Sequence, residues 1–230
     1  MNKISHVWFD IGYTLLYMKR EITYQKALRI FGEEIPVKTL EKEFHMVDKL
    51  FMREYPGVFL KARNVFMPWV LGVLNYNLGI SLDVAKLDAC WEEIQKETEN
   101  YWVPFENVHH VLSELKQNSR SLGIISNWDN TARDDLENAG LSKYFDHFII
   151  SDEVGINKPD PEIFKTAFKE ADVAPHECLY VGDNYYDDAI GSQKAGMAVV
   201  IINRFGTLGV EEIKDAPIIQ DLSQIKDHLL

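Results

Sequence analysis

Cysteine is scarce in this chain. Cys90 and Cys178 are the only two, far apart and with no Cys-x-x-Cys or Cys/His cluster around either, which argues against a disulfide framework or a zinc site. Positive charge is also in deficit, with 24 Lys+Arg against 36 Asp+Glu and a formal net charge of −12. That balance opposes binding to a nucleic-acid backbone or an anionic membrane surface, so neither partner is expected. A small anionic substrate stays compatible, because local charge can oppose net charge. No apolar stretch approaches the roughly 20 residues that a bilayer-spanning helix needs. The run Val7-Trp8-Phe9 is stopped at once by Asp10, unlike the apolar region of a signal peptide. Asn-x-Ser/Thr sequons, internal repeats and low-complexity linkers are missing as well, and a cytoplasmic location is the expectation.

What is present is ordinary globular material. Hydrophobic residues make up 46% and charged residues 26% of 230, a length that corresponds to one large domain or one domain carrying an insertion. A chain of this size buries about 70% of its unfolded surface and needs no covalent or metal staple. A monomer or weak dimer is expected.

Two textures divide the chain. Residues 4–9 read as a short buried strand, followed by a turn at 10–14. From about 18 to 100 the apolar residues fall at three- and four-residue spacing, as in Leu40, Phe44, Val47 and Phe51, which predicts helices near 18–31, 38–54, 64–78 and 83–99. Gly32, Pro36, Pro56-Gly57 and Gly79 separate them. After Pro104, strands at 121–126, 147–150, 178–182 and 197–202 alternate with helices at 107–117, 129–139, 161–170 and 187–195. Such alternation implies right-handed βαβ units and a parallel sheet covered on both faces. The expected architecture is α/β: a Rossmann-like core, 1–16 and 101–230, with an inserted helical cap, 17–100.

In an open parallel sheet, ligands bind beyond the carboxyl ends of the strands. Asp10-Ile11-Gly12-Tyr13-Thr14 follows the first strand, Ser126-Asn127 ends the second, and Asp183-Asn184 with Asp187-Asp188 follows the fourth. Lys158 sits in the loop before the helix that starts at Pro161. Any one of these alone reads as a cap or turn former; together they place carboxylates, a hydroxyl and an ammonium on one edge. That set suits phosphoryl transfer. Asp10 and Asp183 offer hard oxygen ligands to Mg²⁺, Asp10 can attack phosphorus, and Ser126 and Lys158 can hold the transferring oxygens.

The same residues carry a family resemblance. WFDIGYTLL, GIISN, NKPDPEIF and VGDNYYDDAIGSQKAGM resemble, in order, the four motifs of the haloacid dehalogenase-like (HAD) hydrolases, a superfamily made up mainly of Mg²⁺-dependent phosphatases. The resemblance implies that Asp10 is the nucleophile, Lys158 its catalytic partner, and Ser126, Asn127 and Lys158 the binders of a small phosphorylated substrate. It implies Mg²⁺ held by Asp10, Asp183 and the carbonyl of Gly12, with Thr14, Asp187 and Asp188 in support. Of the last two, the spacing before Gly191 favours Asp188. The position of the insertion matches members whose cap lies between the first and second motifs, and closure about Leu16-Tyr17 and Tyr101–Pro104 is expected.

One departure stands out. Phosphatases of the family carry a second Asp two residues after the nucleophile as general acid and base, and here that residue is Gly12. The loss removes proton delivery to the leaving oxygen, worth about 10²–10⁴-fold. Three readings follow, in order: an Mg²⁺-dependent phosphatase, a 2-haloacid dehalogenase, and an impaired member that binds a phosphorylated ligand or a protein partner. Asp183 speaks against the second, since metal-independent dehalogenases dispense with that ligand.

Overall fold

The computed structural model describes residues 4–97 and 102–229. The expected boundary at 100/101, the last residues of the helix expected over 83–99 and the hinge residue Tyr101 lie outside the described residues. The chain forms two compact units. One comprises 4–17, Trp102–Thr207 and 211–229; the other comprises 18–97 and Leu208–Val210. The short Leu208–Val210 segment belongs with the helices, although it falls inside the 101–230 stretch expected to form the core.

The sheet unit opens with β1 (His6–Phe9) and β2 (Leu16–Met18). The helical unit follows as α1 (Arg20–Ile30), α2 (Val37–Glu54), α3 (Arg63–Leu78) and α4 (Val84–Lys96). Tyr24, Phe44 and Trp91 form its centre, with ring centroids 5.3 to 5.8 Å apart. The Tyr24 hydroxyl donates to Asn75 Oδ1 at 3.0 Å, which satisfies its polar tip inside the core. Arg20 pairs with buried Asp48 and covers the Phe44 ring.

The chain then returns through β3 (Trp102–Pro104), α5 (Val108–Gln117), β4 (Ser121–Ser126), α6 (Ala132–Asn138) and β5 (His147–Ile150). It finishes with α7 (Ser151–Val154), α8 (Pro161–Ala171), β6 (Cys178–Gly182), α9 (Ile190–Lys194), β7 (Ala198–Ile202) and β8 (Ile218–Ile219). Six strands form a parallel sheet in the order β5-β4-β1-β6-β7-β8, with β1 between β4 and β6. Successive side chains Val7, Trp8 and Phe9 are all fully buried, so both faces of the central strand are covered, as a parallel sheet requires. No helix among the described residues is long and apolar enough to cross a membrane.

Several local expectations change. The helix expected over 129–139 starts at Ala132. Asp129 Oδ1 instead takes the backbone N–H and the hydroxyl of Thr131, at 2.9 and 2.7 Å, a local bond that competes with the helical ladder. The helix expected over 187–195 begins as a π-turn, Tyr185–Ala189, before α9. The first strand is shorter than expected, and β2, β3, β8 and α7 were not expected at all. Segments of two to four residues carry too little periodicity to read.

Candidate active site

The carboxyl ends of β1, β4 and β6 meet at Asp10. Its backbone N–H extends the ladder to Val181 O at 2.9 Å, which fixes the carbonyl-side exit of β1. The carboxylate is buried, and Oδ1 accepts from Ser126 Oγ at 2.8 Å and from Lys158 Nζ at 2.7 Å. Both anchors use Oδ1. Oδ2 takes part in neither bond.

Lys158 spends all its donors. Nζ reaches Asp10 Oδ1, Asp188 Oδ1 at 2.6 Å and the Tyr180 hydroxyl at 2.9 Å. Three buried oxygens hold its proton strongly, and despite burial its pKa lies well above the ordinary lysine value. The backbone beneath is clamped by Asn127, whose Oδ1 accepts from Lys158 N at 2.7 Å while Nδ2 donates to Lys158 O at 3.0 Å. The Asn127 side chain thus positions the lysine loop. Asp160 accepts from the Glu162 N–H at 3.0 Å and caps α8 immediately beyond, so the loop is pinned at both ends.

Asp188 is fully buried between Lys158 and the Asn184 N–H, which it accepts at 2.9 Å. This packing depends on Gly182, where an added Cβ would lie 2.1 Å from Asp188 Oδ2. Asp187 takes a different place. Its Oδ2 accepts from Asn184 Nδ2 at 2.8 Å, while Oδ1 is buried with no hydrogen-bond partner among the described residues. Burial, then the neighbouring Asp188 charge, push its carboxyl up to about 7. The two adjacent aspartates therefore differ: one orients the lysine, the other keeps an unspent buried oxygen. Asp183 is buried directly after β6, and capping of the following turn falls to Asn184, which accepts from the Tyr186 N–H at 3.1 Å.

Burial raises Asp10 to about 6 against the pull of Lys158, with Asp188 and Asp183 adding repulsion. Four carboxylates (Asp10, Asp183, Asp187, Asp188) thus act on one another around a single ammonium, that of Lys158. Among the described residues no group of three or more His, Cys, Asp or Glu side chains is arranged to hold a metal. Mg²⁺ does not require one; it binds through one or two carboxylates and completes its shell with carbonyl, water and phosphate oxygens. The excess of buried negative charge and the orphaned Asp187 oxygen fit a hard divalent cation beside Asp10 and Asp183.

Two further residues, Tyr180 and Arg204, complete this region. Tyr180 lies inside β6, where a tyrosine among apolar neighbours reads as core; its hydroxyl donates to Ile125 O at 2.7 Å and accepts from Lys158. Arg204 lies just beyond β7 and donates to the carbonyls of Tyr13 at 2.7 Å and Thr14 at 3.2 Å, stacked on the Phe105 ring. Burial lowers its pKa to about 10 although Asp183 opposes this, so it stays charged at neutral pH. It holds the turn that carries Asp10 and Gly12. The rule that singled out Asp183, a polar residue directly after a buried strand, applies equally to Asn203-Arg204. Thr14 is fully buried in that turn, and its hydroxyl has no partner among the described residues.

Gly12 faces aromatic carbon. An added Cβ would lie 3.2 Å from the Trp128 ring and 3.8 Å from Trp102. Its φ is not among the positive ones, whereas Tyr13 has φ +51°, so ring crowding and not backbone strain limits a side chain at position 12. For Gly12→Asp, the family's missing carboxyl is expected to raise turnover of alkyl phosphates about ten-fold, provided Trp128 yields by a few tenths of an ångström. Adding Trp128→Ala makes that room. Steady-state rates on alkyl and aryl phosphates check the idea, and no gain in either the single or the double variant would remove the missing-acid reading.

The sequence profile of the haloacid dehalogenase-like hydrolases matches residues 37–202, a span that includes Ser126, Lys158 and Asp183 and begins after Asp10. The chain is 27% identical to the mouse haloacid dehalogenase-like hydrolase domain-containing protein 3 over 228 residues, 96% of this chain and 88% of that protein. It is 32% identical to a glyceraldehyde 3-phosphate phosphatase of Methanothermobacter thermautotrophicus over 137 residues, 55% of this chain and 58% of the relative. Its fold is similar to that of the HAD-hydrolase YfnB from Bacillus subtilis, solved bound to magnesium, with a TM-score of 0.64, 20% identity and 99% of each chain covered. By its sequence profile, its sheet and the residues gathered at the sheet's carboxyl edge, the chain belongs to the haloacid dehalogenase-like hydrolases.

Proposed function

We propose that the chain is an Mg²⁺-dependent phosphatase that moves the phosphoryl group of a small phosphomonoester onto Asp10 and then to water. One observation carries the reading. Asp10 is anchored through Oδ1 by Ser126 and Lys158, which leaves Oδ2 available for attack on a positioned phosphorus. The same two groups that hold the carboxylate would stand beside the oxygens of a bound phosphoryl group, with Lys158, its three donors engaged, supplying a point charge. Asp188, Tyr180 and Asn127 keep that ammonium in place. Asp10, Asp183 and the Gly12 carbonyl would bind Mg²⁺, which neutralises phosphate charge when present. Phosphatase names among the relatives, such as the glyceraldehyde 3-phosphate phosphatase, support the reaction class.

The test is a phosphate-release screen over phosphomonoesters with Mg²⁺ and with EDTA, run beside chloride release from 2-haloacids. Phosphate release that EDTA abolishes is the expected outcome. Calorimetry on Asp183→Ala should show Mg²⁺ affinity reduced at least ten-fold. Chloride release indifferent to EDTA would replace the phosphatase reading with a dehalogenase.

A further inference from the structure

Beside Asp10 the sheet unit builds an aromatic wall. Trp128 lies two residues past Ser126, which touches Asp10, and its ring edge faces Gly12, two residues past Asp10 itself. Trp102 packs on Trp128 with centroids 4.7 Å apart, and Tyr13 meets Trp102 edge-on at 6.1 Å. Both tryptophans stay partly exposed. Trp128 is held from both ends. Its Nε1 donates to Thr131 Oγ1 and to Asp135 Oδ2, each at 3.2 Å, its backbone N–H donates to Ser151 Oγ at 3.1 Å, and its carbonyl accepts from the same hydroxyl at 3.1 Å. A ring fixed in this way is preorganised to stack rather than to fill space loosely.

We propose that this wall is a leaving-group subsite and that the preferred substrates are aryl phosphate monoesters; the inference rests on the phosphatase reading above. The wall presents the carbon edges of two indole rings where Gly12 brings no carboxyl. A leaving group there gains from stacking and must depart without a proton from position 12. An aromatic alcohol meets both conditions, since a phenolic oxygen has a pKa of about 10 and leaves as an anion far more readily than an alkoxide. In the step, Asp10 Oδ2 forms a bond to phosphorus while the bond from phosphorus to the aryl oxygen breaks. The electron pair stays on that oxygen, and the aryloxide takes its proton from solvent. Water then attacks the aspartyl-phosphate phosphorus, returns the carboxylate to Asp10, and leaves as inorganic phosphate with loss of a proton to solvent.

The wall is tested by binding phenylphosphonate and methylphosphonate, in Mg²⁺, to the full chain and to Trp128→Leu, by calorimetry and by quenching of tryptophan fluorescence. Wild type should bind phenylphosphonate about ten-fold more tightly than methylphosphonate, the scale of an aromatic stack with its buried area. Trp128→Leu should lose most of that preference while keeping its methylphosphonate affinity and its circular dichroism spectrum, and Trp128→Phe should restore part of it. Trp102→Leu gives a second route if the first variant does not fold. Equal affinities in wild type, or a preference that survives both leucine variants, would overturn the subsite and leave the phosphatase reading standing. Failure to bind either phosphonate, with no phosphate released from any ester, would overturn both.

Discussion

Asp10→Asn is expected to lose phosphate release by at least about 10³-fold while the protein stays folded, because the substitution removes the nucleophilic charge and little else. The amide keeps an oxygen for the bonds from Ser126 Oγ and Lys158 Nζ, and Lys158 retains Asp188 as its counter-ion. Burial already raises the Asp10 carboxyl to about 6, so its charge is held at a cost that the neutral amide relieves. The melting temperature should therefore be unchanged or higher. Rapid acid quench should trap a phosphorylated chain in wild type and none in the variant. If Asp10→Asn keeps more than a tenth of wild-type turnover, Asp10 is not the nucleophile. If it melts well below wild type, the carboxylate is structural first.

Lys158→Met should damage both stability and rate. The ammonium is buried and pairs with Asp10 and Asp188 at 2.7 and 2.6 Å, and its removal strands two buried carboxylates, typically at about 3–5 kcal/mol. In a protein of this size that corresponds to a fall in melting temperature of roughly 10 °C. Loss of the positive charge on the transferring phosphoryl group should cost about 10²–10³-fold in kcat. Lys158 is the leading influence that lowers the Asp10 pKa. Without it the carboxylate protonates at higher pH, and the acidic limb of the kcat/KM profile should shift upward. Adding Asp188→Asn removes one of the stranded charges and should recover part of the stability without recovering the rate. A double variant less stable than Lys158→Met alone would show that Asp188 does more than balance the lysine. Lys158→Arg should not rescue turnover, because a planar fork cannot reproduce a point charge shared by three oxygens.

Much of this arrangement was open to a reader of the chain alone. Periodicity separates a helical stretch from an alternating one, and the burial of Val7, Trp8 and Phe9 in β1 is visible as a continuous apolar run. Once the strands are parallel, their carboxyl ends share an edge. Asp10, Ser126, Lys158 and Asp183 therefore had to approach one another, because each lies within or just before a connection leaving that edge. These are local signals joined by one topological rule.

What the chain alone left undecided depends on packing between segments remote in sequence. Asp187 and Asp188 are neighbours with the same chemistry; only the absence of a Cβ at Gly182 lets Asp188 turn inward to Lys158 and leaves Asp187 Oδ1 unspent. Tyr180 looks like strand core until Ile125 O and Lys158 Nζ are found at its hydroxyl. The sequence shows that a carboxyl is missing at Gly12, but not that Trp128, more than a hundred residues later, has its ring edge 3.2 Å from where a side chain would start. Periodicity and motif spacing report on neighbours along the chain. The orientation of a side chain is settled by whichever distant atoms share its space, and that information exists only in the tertiary structure.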